Sequence, residues 1–280
     1  GGAVDIIARA VAQQITGTLG QTVVVENKPG AGTNIAMRQL IDSPADGHTL
    51  MLTANSIAAN PALYQPPPLD PGKDVTPIRL VGRVPVVIAA NAASGPDSIV
   101  KLLAASKAKP KSVSYGSPGN GSTPHLAVEL FARAAGIDLL HVPYKGEPPA
   151  LQDLIGGQID AAVVSVGGVN RYPGKIKPLA VASATRFPSY PDVPTFAELG
   201  YPEVDMPGWA AAFVPAKTPK AIVDKLNTEM GRILVMPDVR AKLLELGFEP
   251  APWSPDKTRR FMKDQLALTQ KLIDAGRVKL

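Results

Sequence analysis

The 280-residue chain has no cysteine, which removes disulfides, thiol nucleophiles and thiolate metal sites. That absence is compatible with an oxidising compartment. Histidine is scarce: His48, His125 and His141 lack the His-x-x-x-His spacing, so no metal site is expected. No apolar run approaches the roughly 20 residues of a membrane span. No basic-then-apolar leader opens the chain, so any export signal is expected to have been removed or omitted. No dense Lys/Arg block with interleaved aromatics occurs, and the net charge of +5, from 29 basic and 24 acidic residues, is spread along the chain. Nucleic acid is therefore not an expected partner. No repeat of solenoid period is evident. What remains, 45% hydrophobic and 19% charged residues, describes a globular protein long enough for two lobes.

Short strands alternate with helices throughout. Ala3 to Leu19 reads as an amphipathic helix closed by Gly20, and Thr22 to Val25 as a short buried strand. After the turn Pro29-Gly30-Ala31-Gly32, Thr33 or Asn34 is expected to cap a helix through Ile41. A strand over Thr49 to Thr53 ends in polar Ala54-Asn55-Ser56, and Pro66-Pro67-Pro68 forbids regular pairing. Strands are expected at Ile78–Arg83, Val84–Ala89, Leu139–Val142, Ile159–Val164, Leu179–Ala182 and Trp209–Val214. Helices are expected at Ser98–Ala108, His125–Ala135, Pro148–Ile155, Pro219–Val235 and Asp238–Leu246, with Asp238 as N-cap. A last helix runs from Ser254 or Pro255 to Ala275, and Asp192–Leu199 includes a short one. The pattern predicts an α/β protein with parallel or mixed sheets. Residues 1–90 and 208–280 form a discontinuous first lobe, 91–207 an inserted second lobe, and two crossings make a hinge with a cleft.

The stretch Ser114 to His125 carries the clearest chemistry. A β-branched and aromatic approach, Val113 and Tyr115, stops at a run of Gly, Ser, Asn and Pro before a helix. Unpaired amides and the positive end of a helix dipole suit an anion there. Gly116 to Thr123 reads G-x-x-x-x-G-S-T, lacking the lysine of a phosphate-binding loop, so nucleotide hydrolysis is not supported. A carboxylate needs less neutralisation, which the hydroxyls of Ser117, Ser122 and Thr123 and the loop amides supply. The plain alternative is a capped helix on a tight turn. Gly30 and Gly32 start a dinucleotide-like pattern, but Ile35 stands at its third glycine. No G-x-S-x-G is present. A hydrolase using Ser122 and His125 remains the rival reading, although His125 suits a polar lining or helix-stabilising role better. Asp5 suits the first turn of a helix dipole, and Trp209 the core.

Several motifs together resemble a known family. They are Gly1-Gly2-x-x-Asp5, Val24-Val25-Glu26-Asn27-Lys28-Pro29-Gly30-Ala31-Gly32-x-Asn34, Gly119-Asn120-Gly121-Ser122-x-x-His125-Leu126, His141-Val142-Pro143-Tyr144-Lys145-Gly146, Asp192-Val193-Pro194-Thr195 and Pro215-Ala216. They resemble, in order and over essentially the whole chain, the periplasmic solute-binding receptors of tripartite tricarboxylate transporters, the Bordetella uptake gene (Bug) family.

The resemblance implies a type II periplasmic binding-protein fold, two α/β lobes closing on a small carboxylate, no cofactor and no catalysis. It implies a monomer in the periplasm that delivers its ligand to integral-membrane permease subunits; a sensor protein of a signalling system is an alternative partner. Ligand contacts implied in lobe one are Gly1, Gly2, Asp5, Gly32, Thr33, Asn34, Thr53 and Ser56. Those in lobe two are Ser117, Gly119, Gly121, Ser122, Thr123, His125, Tyr144, Lys145 and Gly146, with water bridging. Arg38 and Ser165 stand where this chain departs from the family pattern and are candidate specificity positions. The family carries a strand ahead of its first Gly-Gly, and this sequence begins at that pair; the place of that strand is expected to be open or filled by another segment.

Overall fold

The computed structural model describes residues 3–28, 30, 33–63, 67, 69–183, 185–251 and 253–274. Gly1, Gly2 and Gly32 of the expected site, with Pro66 and Pro68 of the proline run, lie outside them. The chain forms two compact units, Gly1–Arg83 with Trp209–Gln270, and Val84–Gly208 with Lys271–Leu280.

The first unit opens with α1 (Ala3–Leu19), which buries Ile7, Val11 and Ile15 at helical spacing. Helices α2 (Asn34–Ile41) and α3 (Ser56–Leu63) flank β1 (Met51–Ala54). With β2 (Val75–Val84), β8 (Gly208–Pro215) and β9 (Glu249–Pro250), β1 forms a sheet of order β1-β8-β2-β9. β1 runs antiparallel to β8, Met51 facing Phe213 and Thr53 facing Ala211. Met37, Leu40, Ile57, Leu80, Trp209 and Phe213 form its core. Helices α8 (Lys220–Ile233), α9 (Pro237–Glu245) and α10 (Pro255–Asp274) complete the element order on this side.

Thr22–Val25 is expected from its composition to pair, and here the structure corrects the sequence: Thr22–Lys28 joins no sheet, and Val24 is 83% exposed. β-branched residues favour extended backbone, but a strand needs a ladder partner. β1 is at the edge of its sheet, and a cavity of about 540 Å³ is lined by this segment, α1, α2 and β1.

The second unit holds β3 (Val86–Asn91), β4 (Ser114–Ser117), β5 (Leu140–Pro143), β6 (Ala161–Ser165) and β7 (Ile176–Ala182) in the order β5-β4-β6-β3-β7. β4 is parallel to β5 and β6, while β3 is antiparallel to β6 and β7. This is the expected mixed α/β architecture. The expected lobe boundary at residue 90 is corrected, because β3 belongs to this second sheet. Pro85, which has no N–H to give a ladder, separates β2 from β3, and its carbonyl accepts the Val166 amide at 3.1 Å. Helices α4 (Ile99–Ala108), α5 (Thr123–Ala135), α6 (Glu147–Ile155) and α7 (Val166–Val169) connect the strands. Ser98 caps α4, and Gly136, at φ 63°, closes α5 in the left-handed region.

Three further expectations are corrected. Residues 192–199 form turns rather than a helix, because Thr195 and Glu198 bond each other's backbone and Thr195 bridges Val181. Met236, not Asp238, is the N-cap of α9, with Pro237 at its first position. Thr33 precedes α2 at φ 78° without a side-chain cap.

Candidate functional site

In the second unit, three parallel strands end at one edge of the sheet and each delivers a helix start. β4 leads through loop 118–122 to α5, β5 through 144–146 to α6, and β6 directly to α7. Ligands of open α/β sheets gather at such carboxyl ends. Two backbone bonds zip the first two loops together: Tyr144 N–H to Ser117 O at 3.0 Å and Gly146 N–H to Pro118 O at 3.1 Å. The approach needs Gly116, where an added Cβ would stand 2.6 Å from Ile159 Cδ1 and 2.9 Å from Tyr144 Cε2. Gly119 and Gly121, at φ 132° and 71°, take backbone shapes that side chains rarely adopt.

Within the loop, most hydrogen-bonding groups are engaged. Ser122 Oγ donates to Gly119 O at 2.7 Å and accepts the His125 amide at 3.4 Å, making Ser122 the N-cap of α5. His125 Nδ1 accepts the Gly121 amide at 3.0 Å. Ser117, fully buried, receives the Gly119 amide at 3.2 Å and meets His141 Nε2 at 2.7 Å. The His125 and His141 rings stack with centroids 4.1 Å apart and planes 11° apart. Burial, with His141 as a second contribution, pushes His125 down from 6.5 to about 4, and burial also lowers His141. His125 is therefore neutral at pH 7, and His141 is shifted in the same direction.

Ser122 and His125 therefore form a helix cap and a loop brace, not a nucleophile and its base. His125 Nδ1 holds the Gly121 amide, and the bond between the two residues runs from the His125 backbone to Ser122 Oγ, whose own hydrogen goes to Gly119 O.

Tyr144 donates to Asp153 at 2.6 Å; burial first, then this bond, pushes its phenol up to about 12. Lys145 is exposed. Thr123 is buried in the first turn of α5. Ser165 caps α7 and is tied to Glu147, which accepts its amide at 2.6 Å and its hydroxyl at 2.9 Å.

The first unit carries its own polar group. Thr33 and Ser56 hydroxyls share a hydrogen bond of 2.8 Å, and Asn60 Nδ2 donates to Asn34 Oδ1 at 2.8 Å. Thr53 is 2% exposed on β1. Asp5 binds Asn27 at 2.9 Å and Arg9 at 3.1 Å, Asn27 first holding its carboxyl below the usual range. Its charge is thus used to fasten α1 to the segment after it. Arg38 is exposed and paired with Asp42 at 3.2 Å along its own helix.

Asn60, His141 and Glu147 bond to expected positions without being among the residues expected from the sequence. His141 sits inside the His-Val-Pro-Tyr-Lys-Gly motif, a usable signal. Asn60 precedes a proline within α3, which hid the helix, and Glu147 left no signal beyond its first-turn position. Among the described residues, no acidic or histidine group could hold a metal ion and no helix is long and apolar enough to cross a membrane.

Residues 7–277 match the family model described as the tripartite tricarboxylate transporter family receptor. Protein BugT of Bordetella pertussis is 36% identical over 270 residues, covering 95% of this chain and 83% of its own. A solved structure of R. palustris Rpa4515 with adipate superposes with a TM-score of 0.85 at 32% identity, over 99% of this chain and 94% of that one. MatC from Rhodopseudomonas palustris with bound malate superposes with a TM-score of 0.80 at 30% identity, over 98% and 95%. The family consists of periplasmic solute-binding receptors rather than enzymes, in keeping with a loop whose serine caps a helix and whose histidine braces an amide. With the match running through both units, the chain belongs to the tripartite tricarboxylate transporter receptor family.

Proposed function

We propose that this chain is a periplasmic receptor for a short aliphatic dicarboxylate, of the adipate or malate type, which it delivers as a monomer to membrane permease subunits. The observation that carries this reading is the second unit's glycine-rich loop at the start of α5, with neutral donors and the positive end of a thirteen-residue helix. Such a site suits a carboxylate better than a polyphosphate. Adipate and malate, bound by the two relatives, support a dicarboxylate as the ligand.

In this proposal the ligand engages both lobes. One side comprises Gly1, Gly2, Asp5, Gly32, Thr33, Asn34, Thr53 and Ser56; the other Ser117, Gly119, Gly121, Ser122, Thr123, His125, Tyr144, Lys145 and Gly146. Arg38 and Ser165 would tune the choice of ligand. Engaged hydroxyls and amides at several of these positions make them shapers of the pocket, and water carries part of the contact. Closure follows because only the closed form contacts the ligand from both sides.

Isothermal titration of adipate, malate, citrate and benzoate, paired with small-angle scattering, tests this. The expected result is saturable binding of at least one dicarboxylate with a decrease in radius of gyration. Absence of binding to all four, with unchanged scattering, would overturn it.

A further inference from the structure

Three rings stack in a column inside the second unit: Tyr115 on β4, His141 on β5 and His125 on α5. Centroids are 4.8 Å apart between Tyr115 and His141, at 20°, and 4.1 Å between the two imidazoles, at 11°. Each imidazole reaches the α5 loop through one ring nitrogen. His125 Nδ1 takes the Gly121 amide, and His141 Nε2 meets Ser117 Oγ, which in turn takes the Gly119 amide. His125 is 4% exposed, so its contact is not shared with bulk water.

We infer that the His125–His141 column is the positioning element of the carboxylate site: it sets the backbone of loop 117–122, and His125 must be neutral for the loop to hold its ligand-binding shape. This rests on the receptor reading above.

The two rings respond differently to a proton. Nδ1 of His125 faces an N–H, so that nitrogen must carry a lone pair and the ring proton resides on Nε2. A proton added at Nδ1 sets two donors against each other and pushes Gly121 away. His141 faces a hydroxyl. With Nε2 bare it accepts from Ser117; with a proton on Nε2 it donates, and the Ser117 hydrogen goes to Gly119 O at 3.3 Å. His125 is thus the sensitive member.

The titratable groups around the column are few. Tyr115 bonds Glu129 of α5 at 2.8 Å. β3 and β6, which also pack on α5, contain no charged residue. Burial and the neighbouring imidazole keep His125 uncharged.

Asparagine places an amide oxygen near the Nδ1 position without a titratable ring, whereas leucine removes the acceptor. With adipate as probe, His125→Leu is expected to lose at least tenfold in affinity at pH 7, and His125→Asn to restore most of it. Adipate's own carboxyls titrate in the acid range, so the pH dependence is read as the ratio of wild-type to His125→Asn affinity. That ratio is expected to fall as pH drops from 6 toward 4. Wild-type affinity in His125→Leu, or a flat ratio, overturns the inference.

Nitrogen-15 NMR of the ligand-free protein supplies a second readout independent of binding. It should show the Nε2–H tautomer of His125 at pH 7, and faster Gly121 amide exchange in His125→Leu, with circular dichroism confirming that the variant is folded. An Nδ1–H tautomer, or unchanged Gly121 exchange, overturns the inference. If wild-type binds no carboxylate while the NMR results hold, the receptor reading fails and the loop brace stands.

Discussion

Ser122 joins two jobs in one side chain: it caps α5 and it stands in the loop proposed to receive a carboxylate. Ser122→Ala alone would confound them, since loss of an N-cap costs about 1 kcal/mol with or without ligand. Ser122→Asp separates the roles. Aspartate accepts the His125 amide about as well as serine, but it cannot donate to Gly119 O, and it brings a negative charge to the place where an anion should dock. Denaturant stability is expected to stay within about 1 kcal/mol of wild type, while adipate affinity falls more than tenfold in titration calorimetry. Unchanged affinity in a folded Ser122→Asp protein would remove Ser122 from the site. The loop was legible in the sequence because its glycines, its cap and its helix pattern are contiguous. The brace was not, because His141 reaches Ser117 from a neighbouring parallel strand, 24 positions along the chain. No local pattern specifies which ring nitrogen finds which amide.

At the scale of elements, Glu147 of α6 fastens the start of α7 by accepting both the Ser165 amide and its hydroxyl. Hydrogen bonds to a charged acceptor contribute about 1.5–3 kcal/mol, and Glu147→Ala is expected to cost a similar amount by urea denaturation. Ser165→Ala removes one of the same bonds. The double variant should therefore be less destabilised than the sum of the singles, by at least about 0.5 kcal/mol. Additivity in the cycle would show that the two residues act separately. Elements with local punctuation were legible: α4 from its capping serine, α5 from Ser122 and Gly136, α9 from its proline. Those decided by distant partners were not. Thr22–Val25 has strand composition but no ladder, and the two strands expected between Ile78 and Ala89 fall in different sheets on either side of Pro85. Helix α3 was hidden by Pro61 in its interior, and residues 192–199 spend their capping bonds on a turn.

At the scale of the whole molecule, the two units carry different acid sensitivities. His125 and His141 belong to the second unit, and burial lowers both. As pH falls, the unfolded chain takes up these protons near 6.5 while the folded unit resists until about 4 for His125. Stability fully present above 6.5 is therefore lost across that window, with no further loss from this residue below it. For His125 the full effect is up to about 3 kcal/mol. In the first unit, the lowered carboxyls Asp5, Asp46 and Asp70 have the same sign but a lower window, since their contribution is lost only as pH falls through 3.8 and below. The chromophores weight the units differently: both tryptophans, Trp209 and Trp253, lie in the first unit, whereas five of the six tyrosines, Tyr115, Tyr144, Tyr172, Tyr190 and Tyr201, lie in the second. Between pH 7 and pH 4.5, the urea midpoint followed by near-ultraviolet tyrosine signals should fall while that followed by tryptophan fluorescence holds. In His125→Asn the tyrosine midpoint should fall less, because one of the two titrating rings is gone. Equal shifts of both probes in the wild type, or no difference in the variant, would mean that the buried imidazoles do not set the acid limit of the second unit.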